Sequence, residues 1–383
     1  MPPPTRSAHS CPSAWSAAPD VKILFDCRYV VRSGHHDGIS RYSARLVEAL
    51  GKRMPVEMLI SDEAQLKLLP DLPWHLISSE TSIREPWLAR QINPLAPDAV
   101  FSPLQTMGSA GRRYGLVLTL HDLIYHRHRT PPRNVPWYIR AGWFVYHLTY
   151  GPQRRALNRA DEIVTVSDTT KALIAQHHLT NRPVTVVLNA ADALDDDPPV
   201  RTPPTTRDLV YMGSFMPYKN VTTLARAMHH LPGYRLHLLS KVPAAERTRL
   251  TALAPAGSLE FHNGVSDADY VELLEGAHAL VHASFDEGFG IPLVEAMSVG
   301  TPIVVSDIPI FREIGGSAGV YADPHDPVAF AAAVRLLDVP ADWAQHSSAA
   351  REQARLFDWD RSADVLYEVL RRVAGKARPE DAE

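Results

Sequence analysis

Short apolar runs alternate with amphipathic stretches along most of this chain. The first run, VKILFD at residues 21–26, is followed by a loop and then by apolar residues at helical spacing, which predict a helix. The same order recurs to the end of the sequence. Strands are predicted at residues 21–26, 56–60, 74–77, 99–101, 116–120, 162–166, 184–188, 209–212, 235–239, 259–261, 279–283 and 303–305. Strands that alternate with helices indicate an α/β fold with parallel sheets.

One segment interrupts this alternation. Residues 192–208 (DALDDDPPVRTPPTTRD) are acidic, rich in proline and nearly free of large apolar side chains, a composition typical of a linker. A chain of 383 residues is long enough for two domains of ordinary size, and a cleft between domains is a usual place for a ligand. We therefore expect a disordered tail at 1–20, a first domain at 21–195, a linker at 196–208, a second domain at 209–355 and a C-terminal helix at 356–376.

Composition and charge exclude several classes of protein. Hydrophobic residues at 45% and charged residues at 21% describe a soluble globular chain. The net charge of -4, without a basic tail or a recognition-helix pattern, gives no reason to expect a nucleic acid partner. The longest apolar runs fall far below the roughly 20 residues needed to cross a bilayer. Residues 1–20 lack the apolar core of a signal peptide, and two cysteines, Cys11 and Cys27, fit a reducing cytoplasm.

The candidate chemistry is concentrated in residues 281–306, VHASFDEGFGIPLVEAMSVGTPIVVS. The pattern predicts a strand, a loop, a helix from about Pro292 to Gly300, and a second strand. Glu287 lies on the loop and Glu295 inside the helix. Loop amides and the positive end of the helix dipole suit a diphosphate, and carboxylates accept hydrogen bonds from sugar hydroxyls. A nucleotide sugar has both parts. The alternative is that one carboxylate is a solvated loop charge and the other only complements the helix dipole.

This stretch resembles the signature of the retaining glycosyltransferases of family 4, E-G-F-G-x-P-x-x-E-A-M with a later G-x-P. The resemblance implies a GT-B fold, in which two Rossmann-like domains face each other across a cleft and a terminal helix crosses back to the first domain. It also implies that the second domain holds the nucleotide sugar, with Glu287 on the sugar and Glu295 on the ribose hydroxyls. The donor-binding loop is then formed by Gly288, Phe289, Gly290 and Ile291. We expect a metal-independent enzyme with no cofactor.

A further resemblance lies in the loop GSFMPYKN. Lys219 stands just before a predicted helix, where its ammonium could neutralise a diphosphate that gains charge as the sugar leaves. The alternative is an ordinary surface lysine. The family pattern G-x-x-x-P-x-K-N matches at Gly213, Pro217, Lys219 and Asn220. Many relatives carry arginine where this chain has Ser214, so either Lys219 bears more of the charge or an arginine of the first domain shares it.

The first domain resembles the family at two places. The predicted strand at 116–120 ends in His121, at the edge where open α/β sheets bind ligands, and the histidine of the family's T-x-H-D run points at the donor sugar. The alternative is a strand-end histidine with satisfied hydrogen bonds. The segment GISRY matches a family run G-I-G-R-Y with Ser40 in place of the second glycine, so Gly38 is assigned to the donor site. Ser40 could also cap the helix that follows.

Two other features bear on ligands. In the family, the turn after the strand at 259–261 flanks the nucleotide base through backbone groups, which assigns Val265 to donor binding. A zinc site could recruit His126 and His128, but their segment has no cysteine and no H-E-x-x-H spacing, which disfavours a metal.

Basic and aromatic residues interleave between residues 125 and 155. This mixture suits a membrane surface that carries a lipid-linked acceptor. A core helix with an exposed basic edge explains it as well, and is the preferred interpretation. We expect a cytoplasmic protein that makes peripheral contact with the inner face of the membrane if the first interpretation holds.

We interpret the chain as a retaining glycosyltransferase that moves a hexose from a nucleotide-sugar donor to a hydroxyl of a glycan or lipid-linked acceptor. The features Asp26-x-Arg28, GISRY and PxKN resemble mannosyltransferases of cell-envelope or polysaccharide assembly and favour GDP-mannose over UDP-glucose. The predicted catalytic residues are Glu287, His121 and Lys219. A nucleotide-sugar epimerase or hydrolase of the same fold and a non-catalytic nucleotide-sugar-binding protein are the alternatives.

Overall fold

The computed structural model describes residues 21–32, 38–130, 137–192 and 201–377. These residues form two units. The first consists of the described residues up to Asn189 together with those from Trp359 onward, and the second runs from Ala190 to Asp358. The predicted tail and the first residues of the predicted linker lie outside the described residues.

The first unit is built on a seven-stranded parallel sheet in the order β3-β2-β1-β4-β5-β6-β7. Its strands are β1 (Ile23–Asp26), β2 (Val56–Ile60), β3 (Trp74–Leu76), β4 (Ala99–Ser102), β5 (Gly115–Leu120), β6 (Glu162–Thr165) and β7 (Val184–Val186). Its helices up to this point are α1 (Gly38–Gly51), α2 (Ala89–Ile92), α3 (Ile124–Arg127), α4 (Trp137–Tyr146), α5 (Gly151–Leu157) and α6 (Asp168–Gln176). Every residue of the neighbouring strands β1, β4, β5 and β6 is buried, because helices cover both faces of a parallel sheet.

The second unit has a six-stranded parallel sheet in the order β10-β9-β8-β11-β12-β13. Its strands are β8 (Asp208–Tyr211), β9 (Arg235–Leu238), β10 (Leu259–Phe261), β11 (Ala279–His282), β12 (Ile303–Ser306) and β13 (Gly319–Ala322). Its helices are α7 (Val221–Ala227), α8 (Ala244–Thr251), α9 (Asp267–Gly276), α10 (Ile291–Ser298), α11 (Pro309–Gly315), α12 (Pro327–Leu336) and α13 (Pro340–Ala354). The order places β8 and β11 side by side, although about 70 residues separate them in sequence.

The last helix, α14 (Trp359–Ala377), packs in the first unit against α1, β4 and β5. Its buried face carries the residues that helical spacing places together, namely Ala363, Leu366, Val369 and Leu370. An ion pair adds to this packing. Arg372 of α14 donates to Glu162 of β6, with Nη2 to Oε1 at 2.6 Å and Nε to Oε2 at 3.1 Å.

The two parallel sheets confirm the predicted α/β class, and each predicted strand is present with bounds within two residues of the expected ones. The predicted cap of α1 is wrong. The helix begins at Gly38, so Ser40 lies buried inside it, where its Oγ accepts a hydrogen bond from the backbone N–H of Val31 at 3.2 Å. Ser40, which stands where the family has its second glycine, therefore links the helix to the loop before it.

A buried ion network fixes the loop that follows β1. The Arg28 side chain donates to both carboxylate oxygens of Asp26 at 2.8 and 3.0 Å, to both oxygens of Glu85 at 2.7 and 3.1 Å, and to the Ser78 carbonyl at 3.1 Å. A guanidinium has five N–H donors, and these contacts use all of them. Because a buried charge is tolerated only when it is paired, Arg28 is a structural residue with no donor left for a diphosphate.

Candidate active site

The loop that joins β11 to α10 carries the predicted donor-binding residues. Gly290 has φ +100° and ends the loop immediately before α10. The positive φ favours glycine, and a Cβ atom at this position would lie 3.1 Å from Cε1 of Phe311, so the ring would have to shift. The predicted order of strand, loop, helix and strand is confirmed, and it places Gly288, Phe289, Gly290 and Ile291 at the N-terminus of α10.

The structure brings two predicted catalytic residues together. Nζ of Lys219 lies 2.6 Å from Oε1 and 2.8 Å from Oε2 of Glu287. The Ser284 hydroxyl donates to the same Oε1 at 2.8 Å. The lysine side chain is 16% exposed and the glutamate side chain 8% exposed, so the pair is largely removed from water. The Coulomb attraction between the two charges is stronger in such surroundings than on the surface, and neither residue is the solvated charge of the alternative interpretation.

Asn220 explains why the lysine reaches this position. Its backbone is left-handed, with φ +52°, and its amide Nδ2 donates to the carbonyls of Ala283 at 2.9 Å and Pro324 at 2.7 Å. The backbone N–H of Phe285 also donates to the Tyr218 carbonyl at 2.8 Å. The bonds to Ala283 and from Phe285 join the loop after β8 to the loop after β11, and the bond to Pro324 joins it to the loop after β13. The K-N pair of the motif therefore consists of a lysine that faces the site and an asparagine that positions it.

The start of the loop after β8 is held by Tyr211. The Tyr211 hydroxyl donates to the Ser214 carbonyl at 2.7 Å, and a Cβ atom on Gly213 would come within 2.9 Å of that hydroxyl oxygen. Gly213 is therefore needed for the close approach of Tyr211. The Ser214 residue is exposed and supplies no charge where many relatives have arginine.

His282, the last residue of β11, lies buried beneath these loops. Its Nε2 is 2.8 Å from the Met212 carbonyl, so Nε2 carries the proton. Its Nδ1 is buried and has no hydrogen-bond partner among the described residues. Burial lowers the pKa of His282 to about 4; Glu287 opposes this shift and Lys219 adds to it. The ring is therefore neutral at physiological pH, and it places no second cation beside the lysine.

Glu295 lies one turn inside α10 and is half-buried. The hydroxyl of Tyr270, a buried residue of α9, donates to its Oε2 at 3.0 Å. The carboxylate is thus oriented by a neighbouring helix and is not an exposed charge. The predicted contact of Glu295 with ribose hydroxyls stays a prediction.

Val265 follows a tight turn at the end of β10. Asn263 and Gly264 both have positive φ, and the Gly264 N–H donates to the Leu239 carbonyl at 2.7 Å. Carboxyl ends of parallel strands meet at one edge of a sheet. The turn with Val265 is therefore at the same edge as the loops that carry Lys219 and Glu287, and its predicted contact with the base stays a prediction.

In the first unit, the structure joins the two segments that resemble the family. The ring of Tyr42, from GISRY, meets the His121 ring edge to face with centroids 5.0 Å apart. Nε2 of His121 lies 2.8 Å from the Pro103 carbonyl, and burial lowers the pKa of this histidine. Its hydrogen bond fixes a neutral tautomer with the proton on Nε2. Gly38 is the first residue of the same helix as Tyr42. The donor roles of His121 and Gly38 stay predictions.

Several residues that shape the site were not predicted from the sequence. They are Ser284, Tyr270, His282 and the positioning role of Asn220. The sequence does mark Asn220, because it belongs to the matched K-N pair. His282, Ser284 and Tyr270 appear in the sequence as an ordinary strand, loop and helix residue, respectively.

Comparison with known proteins adds an independent line of evidence. The family model for glycosyltransferase family 4 matches residues 36–193, and the model for group 1 glycosyl transferases matches residues 194–353. The chain is 31% identical to O-antigen chain mannosyltransferase B of Escherichia coli over 54% of its own length and 59% of that relative. It is 22% identical to the O-antigen chain mannosyltransferase RfbU of Salmonella typhimurium over 79% of its own length and 87% of that relative.

Among solved structures, sucrose-phosphate synthase from Thermosynechococcus elongatus superimposes with a TM-score of 0.72 at 19% identity, covering 93% of this chain and 100% of that one. At this identity the likeness concerns the fold alone. The two family models adjoin each other and together match residues 36–353. The chain therefore belongs to the glycosyltransferases of family 4 and has their GT-B fold.

Proposed function

We propose that this chain is a retaining, metal-independent glycosyltransferase that moves a hexose from a nucleoside diphosphate sugar to a hydroxyl of a glycan or lipid-linked acceptor. The observation that carries the proposal is the buried pair of Lys219 and Glu287, held by two loops at the carboxyl edge of the second sheet beside the N-terminus of α10. This edge is where open α/β sheets bind ligands.

The reaction breaks the bond between the anomeric carbon and the diphosphate, so negative charge grows on the leaving group. The Lys219 ammonium has three N–H donors, and two of them are used on Glu287. The third can reach a phosphate oxygen. The N–H groups of the first turn of α10 and the helix dipole add fixed positive potential at Gly290 and Ile291. Charge stabilisation of this kind is commonly the largest contribution to catalysis.

Glu287 is arranged to orient the sugar. Its Oε1 accepts two hydrogen bonds, from Lys219 and Ser284, whereas Oε2 accepts one from Lys219. A carboxylate oxygen has room for about two, so Oε2 can accept a bond from a sugar hydroxyl. In the proposal, Glu295 binds the ribose hydroxyls and His121 of the first unit contacts the hexose.

The Lys219–Glu287 pair can be tested by comparing two single variants with their combination. Glu287→Gln and Lys219→Met should each lower kcat by about 10²–10³-fold, because each removes a group that acts on developing charge. Lys219→Met should also destabilise the protein by about 3 kcal/mol, since it leaves a buried carboxylate without its partner. The double variant should recover most of the stability and none of the activity. Urea unfolding and initial rates of transfer measure the two effects.

A double variant that regains activity along with stability would show that the pair is only structural. Ser298→Ala, on the same helix as Glu295 but outside the proposed site, is the control that should leave kcat unchanged.

His282 gives the site a pH dependence of stability. Its folded pKa of about 4 lies below the ordinary value of 6.5, so the unfolded state binds the proton more tightly. Its stabilising contribution is complete above pH 6.5 and is lost as the pH falls towards 4. At pH 5 the loss is about 2 kcal/mol. Relative to pH 7, the urea midpoint of the wild type should fall more than that of His282→Gln. His126 titrates in the same range but is present in both proteins, so equal pH slopes would refute the assignment to His282.

For the donor we propose GDP-mannose. The relatives named above are mannosyltransferases by name, and the features Asp26-x-Arg28, GISRY and PxKN resemble that group. Calorimetric titration with GDP-mannose, and with UDP-glucose in parallel, should give binding heat with the first and at least about tenfold weaker binding with the second. Equal affinity, or heat with UDP-glucose alone, would overturn this choice. Product analysis with donor alone separates transfer from hydrolysis or epimerisation.

The acceptor proposal rests on α4, which is not a core helix. Trp137 is 78% exposed and Tyr138 is 61% exposed, and Phe144 and Val145 are also exposed. The preferred sequence interpretation, a buried helix with a basic edge, is therefore wrong for this helix. Arg140 is exposed on the same helix. None of the helices in the described ranges is long and apolar enough to cross a bilayer. We infer that α4 lies on an anionic membrane surface, as a lipid-linked acceptor would require.

Sedimentation with lipid vesicles tests this surface. The protein should bind vesicles that contain phosphatidylglycerol more tightly than vesicles of phosphatidylcholine alone, and Trp137→Ser with Tyr138→Ser should weaken binding at least about tenfold. Ile83→Ser removes an even more exposed apolar side chain elsewhere in the first unit and should have no effect. Binding that is equal for both vesicle types, or unchanged in the double variant, would contradict the proposal.

A further inference from the structure

A group of polar side chains lies on one face of the outer strands of the second sheet. His237 of β9 is paired in register with Glu260 of β10. Paired residues of parallel strands point to the same face, and so do residues two apart on one strand. His262, two residues after Glu260, therefore joins them, and its backbone N–H donates to the Leu238 carbonyl at 3.1 Å. His237 is buried, while His262 and Glu260 are partly exposed.

The ligand atoms of these three residues converge. Nδ1 of His237 lies 2.9 Å from Nε2 of His262 and 4.0 Å from Oε2 of Glu260, and Nε2 of His262 lies 3.9 Å from Oε1 of Glu260. Two ligands of a tetrahedral zinc ion, each about 2.0–2.1 Å from the metal, are about 3.3 Å apart. The two imidazole nitrogens are within about 0.4 Å of that value. The two carboxylate distances involve different oxygens of Glu260, and a set with one ligand atom from each residue lies within 4.8 Å of one another. Two imidazoles and a carboxylate form a ligand set that zinc prefers.

The surroundings suit a cation. Nε2 of His237, the nitrogen that faces away from the cluster, lies 3.1 Å from Oδ1 of Asp208, although the contact is not well aligned for a hydrogen bond. The carboxylate favours the proton on Nε2 and so leaves the Nδ1 lone pair directed at the cluster, as outer carboxylates do around metal-binding histidines. Arg235 lies 3.1 Å from Oε2 of Glu260. The charged groups in contact with the two histidines and with each other are thus two carboxylates, Asp208 and Glu260, and one guanidinium, which together carry a net negative charge.

We propose that His237, Glu260 and His262 form a binding site for a divalent transition metal, with Zn²⁺ as the ion that fits the ligands. The site shares no residue with the Lys219–Glu287 pair, and its three protein ligands leave the fourth tetrahedral position to water. It links the edge strand β10 to β9 and fixes the start of the turn that carries Val265. The histidines His126 and His128, which the sequence offered for zinc, are not part of any such grouping in the portion of the chain that the structure describes.

The test uses the full-length protein with its affinity tag removed and bound metal stripped with EDTA. Calorimetric titration with ZnCl₂ should show one equivalent of Zn²⁺ that is absent from His262→Gln and from His237→Gln. Asp208→Asn should keep the stoichiometry and weaken the affinity about 10- to 100-fold, as changes to outer carboxylates do. His230→Gln replaces an exposed histidine of the same unit and should bind as the wild type does.

Two further measurements keep the test independent of folding. Thermal unfolding without metal shows whether a variant is folded, and Glu260→Gln, at a partly exposed position, provides a milder ligand change that should also lose the site. Co²⁺ in place of Zn²⁺ should give the visible absorption bands of tetrahedral coordination in the wild type and not in Glu260→Gln. Absence of Zn²⁺ binding by the wild type, or full binding by folded His262→Gln and His237→Gln, would overturn the proposal.

Discussion

The ion pair between Lys219 and Glu287 is the interaction on which the arrangement of the second unit's functional edge depends. Each residue comes from a loop that follows a central strand, one after β8 and one after β11. A charge that is largely buried requires a partner, because an unpaired one would cost several kcal/mol. The pair therefore fixes both loops at once. The bond from Asn220 to the Ala283 carbonyl makes the same connection through neutral groups, and the bond to the Pro324 carbonyl adds the loop after β13, so the lysine is positioned before any ligand arrives.

Preorganisation of this kind matters for a reaction that separates charge. Groups already held in place need no rearrangement when charge develops, whereas water dipoles must turn. His282 belongs to the same arrangement, although it carries no charge. Burial keeps its ring neutral, and its Nε2–H holds the Met212 carbonyl at the start of the lysine loop. A protonated ring at this position would repel Lys219, so the neutrality of the histidine supports the ion pair.

Much of the fold could be predicted from the sequence, because buried parallel strands are continuous apolar runs and the glycines mark where helices begin or end. Gly290 and the K-N pair at Lys219 were predicted because both match the motifs of the family that the sequence resembles. The contacts between side chains from distant parts of the sequence could not be predicted. Lys219 and Glu287 were assigned separately to phosphate and sugar, and their mutual contact depends on β8 lying beside β11, which residues 68 apart do not reveal. The contact of Tyr270 with Glu295 depends on helix packing in the same way.

The departure at Ser214 shows what the ion pair implies for a diphosphate. The pair is neutral as a whole, and Ser214 adds no positive charge where many relatives have arginine. Beyond the third N–H of Lys219, the attraction that we propose for an anion at this edge comes from dipoles, that is, from the first N–H groups of α10 and the positive end of its macrodipole, equivalent to about half an elementary charge. Dipoles act only at short range and in one direction. We therefore expect the position of α10, which the backbone of Gly290 and its contact with Phe311 determine, to matter more here than in a relative with a second cation.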